Sequence, residues 1–366
     1  MNGAFMSPLM RAVSQAGIEG IASKEKPYNV ATEVFFSGPE KLRKEFSELI
    51  NCPDFNQIAI IPSVSYAMST ITHNLSTDRG KKIVVAGEQF PSNYYPWSRW
   101  TKENNGTLCV VSASDSEVDR GRKWNEDILA NITEDTAVVA LGNVHWADGT
   151  LFDLVAVREA CDKHGALLVV DGTQSVGALP FDVERVRPDA LICAGYKWLM
   201  GPYSIGLAYY DRSLEGMKPS EENWITREFS EDFAGLVNYK ETYQPGNIRY
   251  DVGEKSNFVL VPMMTRALKQ LNEWGVNNIY EYATKISEEG IGRLREAGYL
   301  IEEAEYRGGH LFGVRTKEVD MEGLSQKLRE NNIFVSTRGN AVRVSVSVYN
   351  TKEDISALTD VCLSLK

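Results

Sequence analysis

Lys197 lies in Ala194-Gly195-Tyr196-Lys197-Trp198-Leu199-Met200-Gly201-Pro202, 26 positions after Asp171, which ends the apolar run Ala166-Leu167-Leu168-Val169-Val170. A lysine amine can form a Schiff base with a carbonyl, and a carboxylate can hold a protonated pyridine nitrogen. These are the two protein groups on which pyridoxal phosphate chemistry depends most. Each alone is ambiguous. A lysine at a strand end can snorkel to water, and an aspartate there can cap a helix or bind a metal. Flanking by Trp198 and Leu199 would desolvate the Lys197 ammonium and favour the neutral amine. Placement of both residues at ends of successive apolar runs favours the cofactor reading. Gln174, three residues past Asp171, could donate to a ring phenolate oxygen or simply be solvated.

A cofactor phosphate needs donors. Ile58-Ala59-Ile60-Ile61-Pro62-Ser63-Val64-Ser65-Tyr66-Ala67 reads as strand, turn and helix start. Backbone N–H groups of Val64, Ser65 and Tyr66 and the Ser63 or Ser65 hydroxyl could meet an anion near the helix dipole, or the serines could only cap the helix. Glu88 to Trp97 follows another apolar run. An aromatic ring in it could stack on a pyridine, with Ser92 reaching the phosphate, although such rings often belong to cores. Neither a Walker phosphate loop nor a Gly-x-Gly-x-x-Gly fingerprint is present.

The elements that must position these groups are legible as apolar runs at Ile58–Ile61, Ile83–Ala86, Leu108–Val111, Ala137–Leu141, Ala166–Val170, Leu191–Ala194 and Ile205–Tyr210, with helical segments such as Trp124–Asn131 and Leu154–His164 between them. Continuous apolar strands alternating with helices predict an α/β fold with a largely parallel sheet covered on both faces. Ligands gather at the carboxyl ends of such strands. Near residue 260 the pattern changes to helices at Thr265–Trp274 and Ile279–Ala297, strands at Leu311–Arg315, Ile333–Ser336 and Val342–Val348, and a helix at Met321–Asn331, which predicts a smaller α+β unit.

Composition narrows the function classes. The 366 residues, 43% hydrophobic, suffice for roughly two domains. Thirty-nine basic against 50 acidic residues give a net charge of -11, which disfavours a nucleic-acid footprint or an anionic membrane surface. Five dispersed cysteines without a Cys-x-x-Cys pair read as reduced thiols and argue against zinc. No apolar stretch approaches a membrane span, and the N-terminus lacks a secretory pattern. A soluble cytoplasmic protein without a metal is expected, and the Asn74, Asn105 and Asn131 glycosylation triplets are chance matches.

Taken together, Pro62 to Tyr66, Glu88 to Trp97, Asn143 to Gly149, Asp171 to Gln174 and Gly195 to Pro202 resemble the class V aminotransferase superfamily, over nearly the whole chain. The opening Asn2 to Pro8 resembles its N-terminal substrate-side loop, and Val342 to Asn350 its C-terminal strand. The resemblance implies a fold-type-I pyridoxal phosphate enzyme with a seven-stranded sheet. It implies an N-terminal segment at 1–18, a large cofactor domain at 19–260 and a small domain at 261–366, in a homodimer with the active site at the interface. The substrate would be an amino acid or related amine. Lys197 would carry the Schiff base, Asp171 the ring nitrogen and Gln174 the phenolate oxygen, with His145 near the ring. Phe90 would stack on the ring, while Ser63, Val64, Ser65, Tyr66, Ser92 and Tyr196 would surround the phosphate. Asn2 and Ala4 would lie on the substrate side, and Arg343 would clamp the substrate α-carboxylate.

The chain departs from the pattern in three places. Many relatives carry Ser-x-His-Lys at the Schiff base, where this chain has Ala194-Gly195-Tyr196-Lys197. Gly253-Glu254-Lys255-Ser256 stands where many have the Gly-Thr that a partner subunit lends to the phosphate, a task Arg249 or Ser256 could assume. Between Cys193 and Cys362 there is no cysteine to serve as a desulfurase nucleophile. Transamination is the leading expectation, with C–S or C–C elimination next, epimerisation third, and a non-catalytic binding relative disfavoured by the retained Lys197 and Asp171.

Overall fold

A computed structural model describes residues 1–114 and 119–366. Seven strands, β1 (Ile58–Ile61), β2 (Lys82–Ala86), β3 (Thr107–Val111), β4 (Thr136–Gly142), β5 (Leu167–Asp171), β6 (Ala190–Ala194) and β7 (Gly206–Tyr210), form one sheet in the order β1-β7-β6-β5-β4-β2-β3. Pairing is parallel from β3 through β6, and β7 runs antiparallel to both its neighbours.

Alternation across this sheet explains why its strands read as continuous apolar runs. Val139, Leu141, Leu168 and Val170 pack on one face with Phe46, Trp124 and Leu268, whereas Val138, Ala140 and Val169 pack on the other with Ala67, Met68 and Trp97. Burial on both faces leaves no polar side to the strand. Truncating Leu141, which is fully buried, to alanine should cost about 2–5 kcal/mol.

Local chemistry sets the helix ends. Asp153 accepts N–H bonds from Val155 and Ala156 to start the helix Leu154–His164, and Gly165 ends it at φ +71°. Ser63 starts the helix Val64–Asn74 by accepting from the Tyr66 N–H at 3.2 Å. These caps satisfy donors that the first turn otherwise leaves open.

The second sheet consists of β8 (Leu311–Val314), β9 (Ser336–Arg338) and β10 (Ala341–Ser345), antiparallel in the order β8-β10-β9. Its own core joins Phe312, Val314, Val342 and Val344 to Ile291, Leu324 and Leu358. The strand expected at Ile333–Ser336 begins only at Ser336, because pairing with β10 runs over Ser336 to Arg338 and Phe334 is 59% exposed. The N-terminal segment ties the two sheets together. Asn2 bridges to Ser345 of β10, the Ala4 N–H donates to Ser345 Oγ at 3.1 Å, and the Ser7 N–H donates to the Tyr196 carbonyl at 3.2 Å.

Candidate active site

Parallel pairing brings the carboxyl ends of β4, β5 and β6 to one edge of the sheet, with Gly142 in register with Asp171 and Asp171 with Ile192. Because β7 is reversed, its first residues and the carboxyl end of β1 reach that same edge, where Ile61 pairs with Gly206. A cavity of about 240 Å³ opens there. Its wall includes Ser63, Val64, Ser65, Phe90, Ser92, Asp171, Gln174, Tyr196 and Lys197, nine of the residues singled out from sequence.

Lys197 sits in a turn closed by the Met200 N–H donating to the Lys197 carbonyl at 3.0 Å, and it is 5% exposed. Gly201, behind this turn, has no room for a Cβ, which would lie 2.2 Å from Met264 Sδ. Burial lowers the Lys197 ammonium to about 8, Asp171 opposing the shift while Arg343 and Arg338 add to it. Its Nζ lies 5.2 Å from the centre of the Phe90 ring and 5.7 Å from that of Tyr196.

Asp171 is also buried, and burial raises its carboxyl above the ordinary value against the pull of Thr173 and Lys197. The Thr173 N–H donates to Oδ1 at 3.0 Å. Among the described residues the carboxylate makes no ion pair within 4 Å, so a buried anion faces a cavity without a cation in contact. That environment fits a protonated ring nitrogen. Across the cavity, the Ser63 and Ser65 hydroxyls lie 3.1 Å apart at the start of a helix whose dipole favours an anion, which fits a phosphate. The residues present therefore suit pyridoxal phosphate at both ends.

Gln174 is committed on both sides of its amide. Its Oε1 accepts from Trp198 Nε1 at 3.0 Å and its Nε2 donates to the Ala4 carbonyl at 3.1 Å, which leaves one Nε2 hydrogen for the cavity. Buried His310 donates through Nε2 to the Gln174 carbonyl at 2.7 Å and fixes the turn from behind.

Five sequence candidates lie outside the cavity wall. Tyr66 gives its N–H to Ser63, and its hydroxyl is buried without a partner. His145 is 1% exposed, and both ring nitrogens are engaged, Nδ1 with Asp148 Oδ1 at 3.1 Å and Nε2 with the Gly87 carbonyl at 3.2 Å. Asp148 also pairs with Arg120, and although burial alone would raise its carboxyl, the interactions with His145 and Arg120 hold it below the ordinary range. Asn2 accepts from Ser336 Oγ at 2.8 Å, and Ala4 is held between Ser345 and Gln174. Arg343, on β10, is 1% exposed and donates through Nη1 to the Trp146 carbonyl at 2.7 Å, while Nε and Nη2 are buried without a partner.

Of the two residues expected to replace the partner-subunit phosphate contact, Ser256 is spent within its own chain, donating to the Phe35 carbonyl. Lys255 is buried on Asp251 at 3.0 Å, beside the Arg43 pair to the same carboxylate. Among the described residues Arg249 makes no ion pair with a carboxylate; it stacks over the Tyr243 ring, and its buried Nε lacks a partner. Of the other aromatic residues in this region, Trp146 and Tyr203 line the cavity, Trp97 is fully buried, and Tyr95 is 67% exposed. Gln89, Thr173 and Ser204 line it without having been singled out. Their adjacency to Phe90, Gln174 and Tyr203 was the available signal.

The family described as Aminotransferase class-V matches residues 28–358. The chain is 28% identical over 324 residues to an uncharacterized aminotransferase of Bacillus subtilis, covering 88% of this chain and 82% of the relative. It is 24% identical over 344 residues to a probable cysteine desulfurase of Staphylococcus epidermidis, covering 88% and 79%. Among solved structures, a cystine C–S lyase in complex with its product cysteine persulfide superposes with a TM-score of 0.86 at 18% identity, covering 100% of this chain and 97% of the other. An apo cysteine desulfurase of Thermococcus onnurineus does so with a TM-score of 0.81 at 20% identity, covering 99% and 93%. These structures share the fold.

Proposed function

The chain belongs to the class-V aminotransferase family and is a pyridoxal-phosphate-dependent enzyme; on that premise we propose that it transfers the amino group of an amino acid to a keto acid. One observation carries the reading: Lys197 and Asp171 face a single cavity from adjacent strand ends, with no cysteine in its wall. Bound pyridoxal phosphate supplies an electron sink for the pair left when a bond to the substrate α-carbon breaks.

The chain's own residues do the rest. Asp171 holds the ring nitrogen in its protonated form. The Ser63 to Ser65 turn and Ser92 hold the phosphate, and Phe90 packs on the ring. Gln174 offers its remaining Nε2 hydrogen to the phenolate oxygen, while His145, through Asp148 and Gly87, braces the wall behind Trp146. Lys197, brought by burial to about 8, can take or give a proton at the substrate α-carbon near neutral pH. Arg343 presents its two unpartnered nitrogens to the α-carboxylate.

Elimination is the second reading, favoured by the relatives named probable cysteine desulfurases. The absence of a cavity cysteine weighs against the persulfide route but leaves direct release of a leaving group open. Incubating the holoenzyme with single amino acids, with and without a keto acid acceptor, separates the two. Transamination requires the acceptor for turnover and yields a new amino acid. Release of ammonia, sulfide or a cleaved fragment without an acceptor would replace it by elimination.

A homodimer is part of this proposal. Trp224, Phe229, Phe233, Val237 and Tyr239 are exposed, and Trp224 and Phe233 pack with Phe35 in one aromatic cluster, an apolar surface suited to a second copy. Five free cysteines suit a reducing, cytoplasmic setting. No helix among the described residues is long and apolar enough to cross a membrane.

A further inference from the structure

Beside Arg343 stands a second arginine that the reaction as described does not use. Arg338 ends β9, five residues before Arg343, and its guanidinium carbon lies 5.6 Å from the centre of the Trp146 ring. Trp146 accepts from Arg343 through its carbonyl, meets Phe90 edge-on at 5.3 Å, and lines the cavity. Both arginines therefore flank one wall residue of the site that holds Lys197.

Neither guanidinium is neutralised. Arg338 Nη1 donates to the Thr337 carbonyl at 2.7 Å, and its buried Nε has no partner. Arg343 keeps two buried nitrogens unpartnered. Among the described residues neither arginine has a carboxylate within 4 Å. The Glu88 carboxylate lies against Gly339 and makes no ion pair with Arg338. This occurs in a chain with 50 acidic against 39 basic residues. The one carboxylate at the base of the cavity, Asp171, is taken by the ring nitrogen in the proposed function. Burial chiefly, and the neighbouring Arg338 in addition, lower the Arg343 guanidinium to about 10.

Buried guanidinium nitrogens left without a partner, two on Arg343 and one on the half-buried Arg338, cost free energy, and an anion supplied by the ligand offsets it. A single α-carboxylate satisfies one planar fork. We propose that Arg343 takes the α-carboxylate and Arg338 a second carboxylate at the end of the side chain, so that the substrate is an acidic amino acid of the aspartate or glutamate kind. This rests on the pyridoxal phosphate reading of the same cavity and adds the substrate class to it.

The test titrates the holoenzyme with L-aspartate, L-glutamate, L-asparagine, L-glutamine and L-alanine and follows the change in cofactor absorbance to obtain apparent dissociation constants. At least one acid is expected to bind about 10-fold or more tightly than its own amide, because a hydrogen-bonded charge pair is replaced by a neutral group before a buried cation. In Arg338→Gln the ratio of acid to alanine affinity falls by about the same factor, and Arg338→Lys recovers part of it. Equal binding of acid and amide by the unaltered enzyme overturns the inference without need of any variant, as does weakening of acid and alanine alike in Arg338→Gln, which would put both arginines on the α-carboxylate. Should alanine perturb the cofactor while the acids gain nothing, the substrate class fails and the cofactor reading stands. A protein in which borohydride fixes no cofactor on Lys197 fails at the earlier step.

Discussion

Asp171 ends β5 and Lys197 sits in the turn after the adjacent parallel strand β6, where Asp171 is in register with Ile192, five residues before the lysine, so that carboxylate and amine open into one cavity without a salt bridge between them. Burial moves the two groups in directions that both favour neutrality, raising Asp171 and lowering Lys197 to about 8. A lysine poised in this way is reactive at a pH where ordinary lysines are protonated.

The first consequence concerns the apoenzyme. Its rate of association with pyridoxal phosphate should rise with pH through about 8 and level off, following the neutral Lys197 amine. The same shift affects stability. A lysine with a depressed folded value binds its proton less tightly when folded, so its contribution is unfavourable below about 8 and is relieved as pH rises toward its unfolded value of 10.5. Association that climbs only above pH 10 would mean that Lys197 is an ordinary surface-like amine.

Asp171→Asn should divide stability from function. The asparagine Oδ1 keeps the Thr173 N–H bond, and the desolvated charge is gone. Because the folded value of Asp171 is raised, the wild-type apoprotein loses stability as pH climbs from 3.8 through that raised value, and the variant does not. Its apo melting temperature at neutral pH should match or exceed the wild type, while turnover falls by roughly 100-fold or more for loss of the ring-nitrogen partner. A variant that melts well below the wild type would show Asp171 to be a structural cap.

Arg343→Lys retains one positive charge and loses the planar fork. It should raise KM for the amino acid and lower kcat/KM about 10- to 100-fold, the worth of a charge-assisted bond of about 1.5–3 kcal/mol. Unchanged kinetics with an altered melting temperature would confine Arg343 to its bond with Trp146.

His145→Asn should act through the fold. His145 is braced by Asp148 and Gly87 behind the cavity wall, and Arg120 completes the buried pair. Breaking that network should cost about 1–3 kcal/mol, read as a lower melting temperature, with cofactor still fixed by borohydride on Lys197. A variant of normal stability with an altered cofactor spectrum would place the imidazole in contact with the ring.

Much of this was legible in the residues themselves, for identifiable reasons. The helix Leu154–His164 is bounded by Asp153 and Gly165, and strands such as β4 are apolar on both faces, so local chemistry and burial agree. What was not legible depends on which side a residue turns. His145 and Trp146 are neighbours in one motif, yet the imidazole packs at 4.8 Å against Trp124 in the core while the indole meets Phe90 in the cavity. Ser256 looked available to a partner subunit, but the Phe35 carbonyl, more than 200 positions away, claims it. Arg343 required the opposite lesson, since its value lies in nitrogens that nothing in the chain satisfies.

The most direct measurement is the site of covalent capture. Purified protein is saturated with pyridoxal phosphate, reduced with borohydride, digested and mapped by peptide mass. The phosphopyridoxyl group is expected on Lys197, at close to one per chain, and to vanish in Lys197→Ala. Its absence, or its scatter over surface lysines with Lys197 unlabelled, would contradict the assignment of this cavity as the pyridoxal phosphate site.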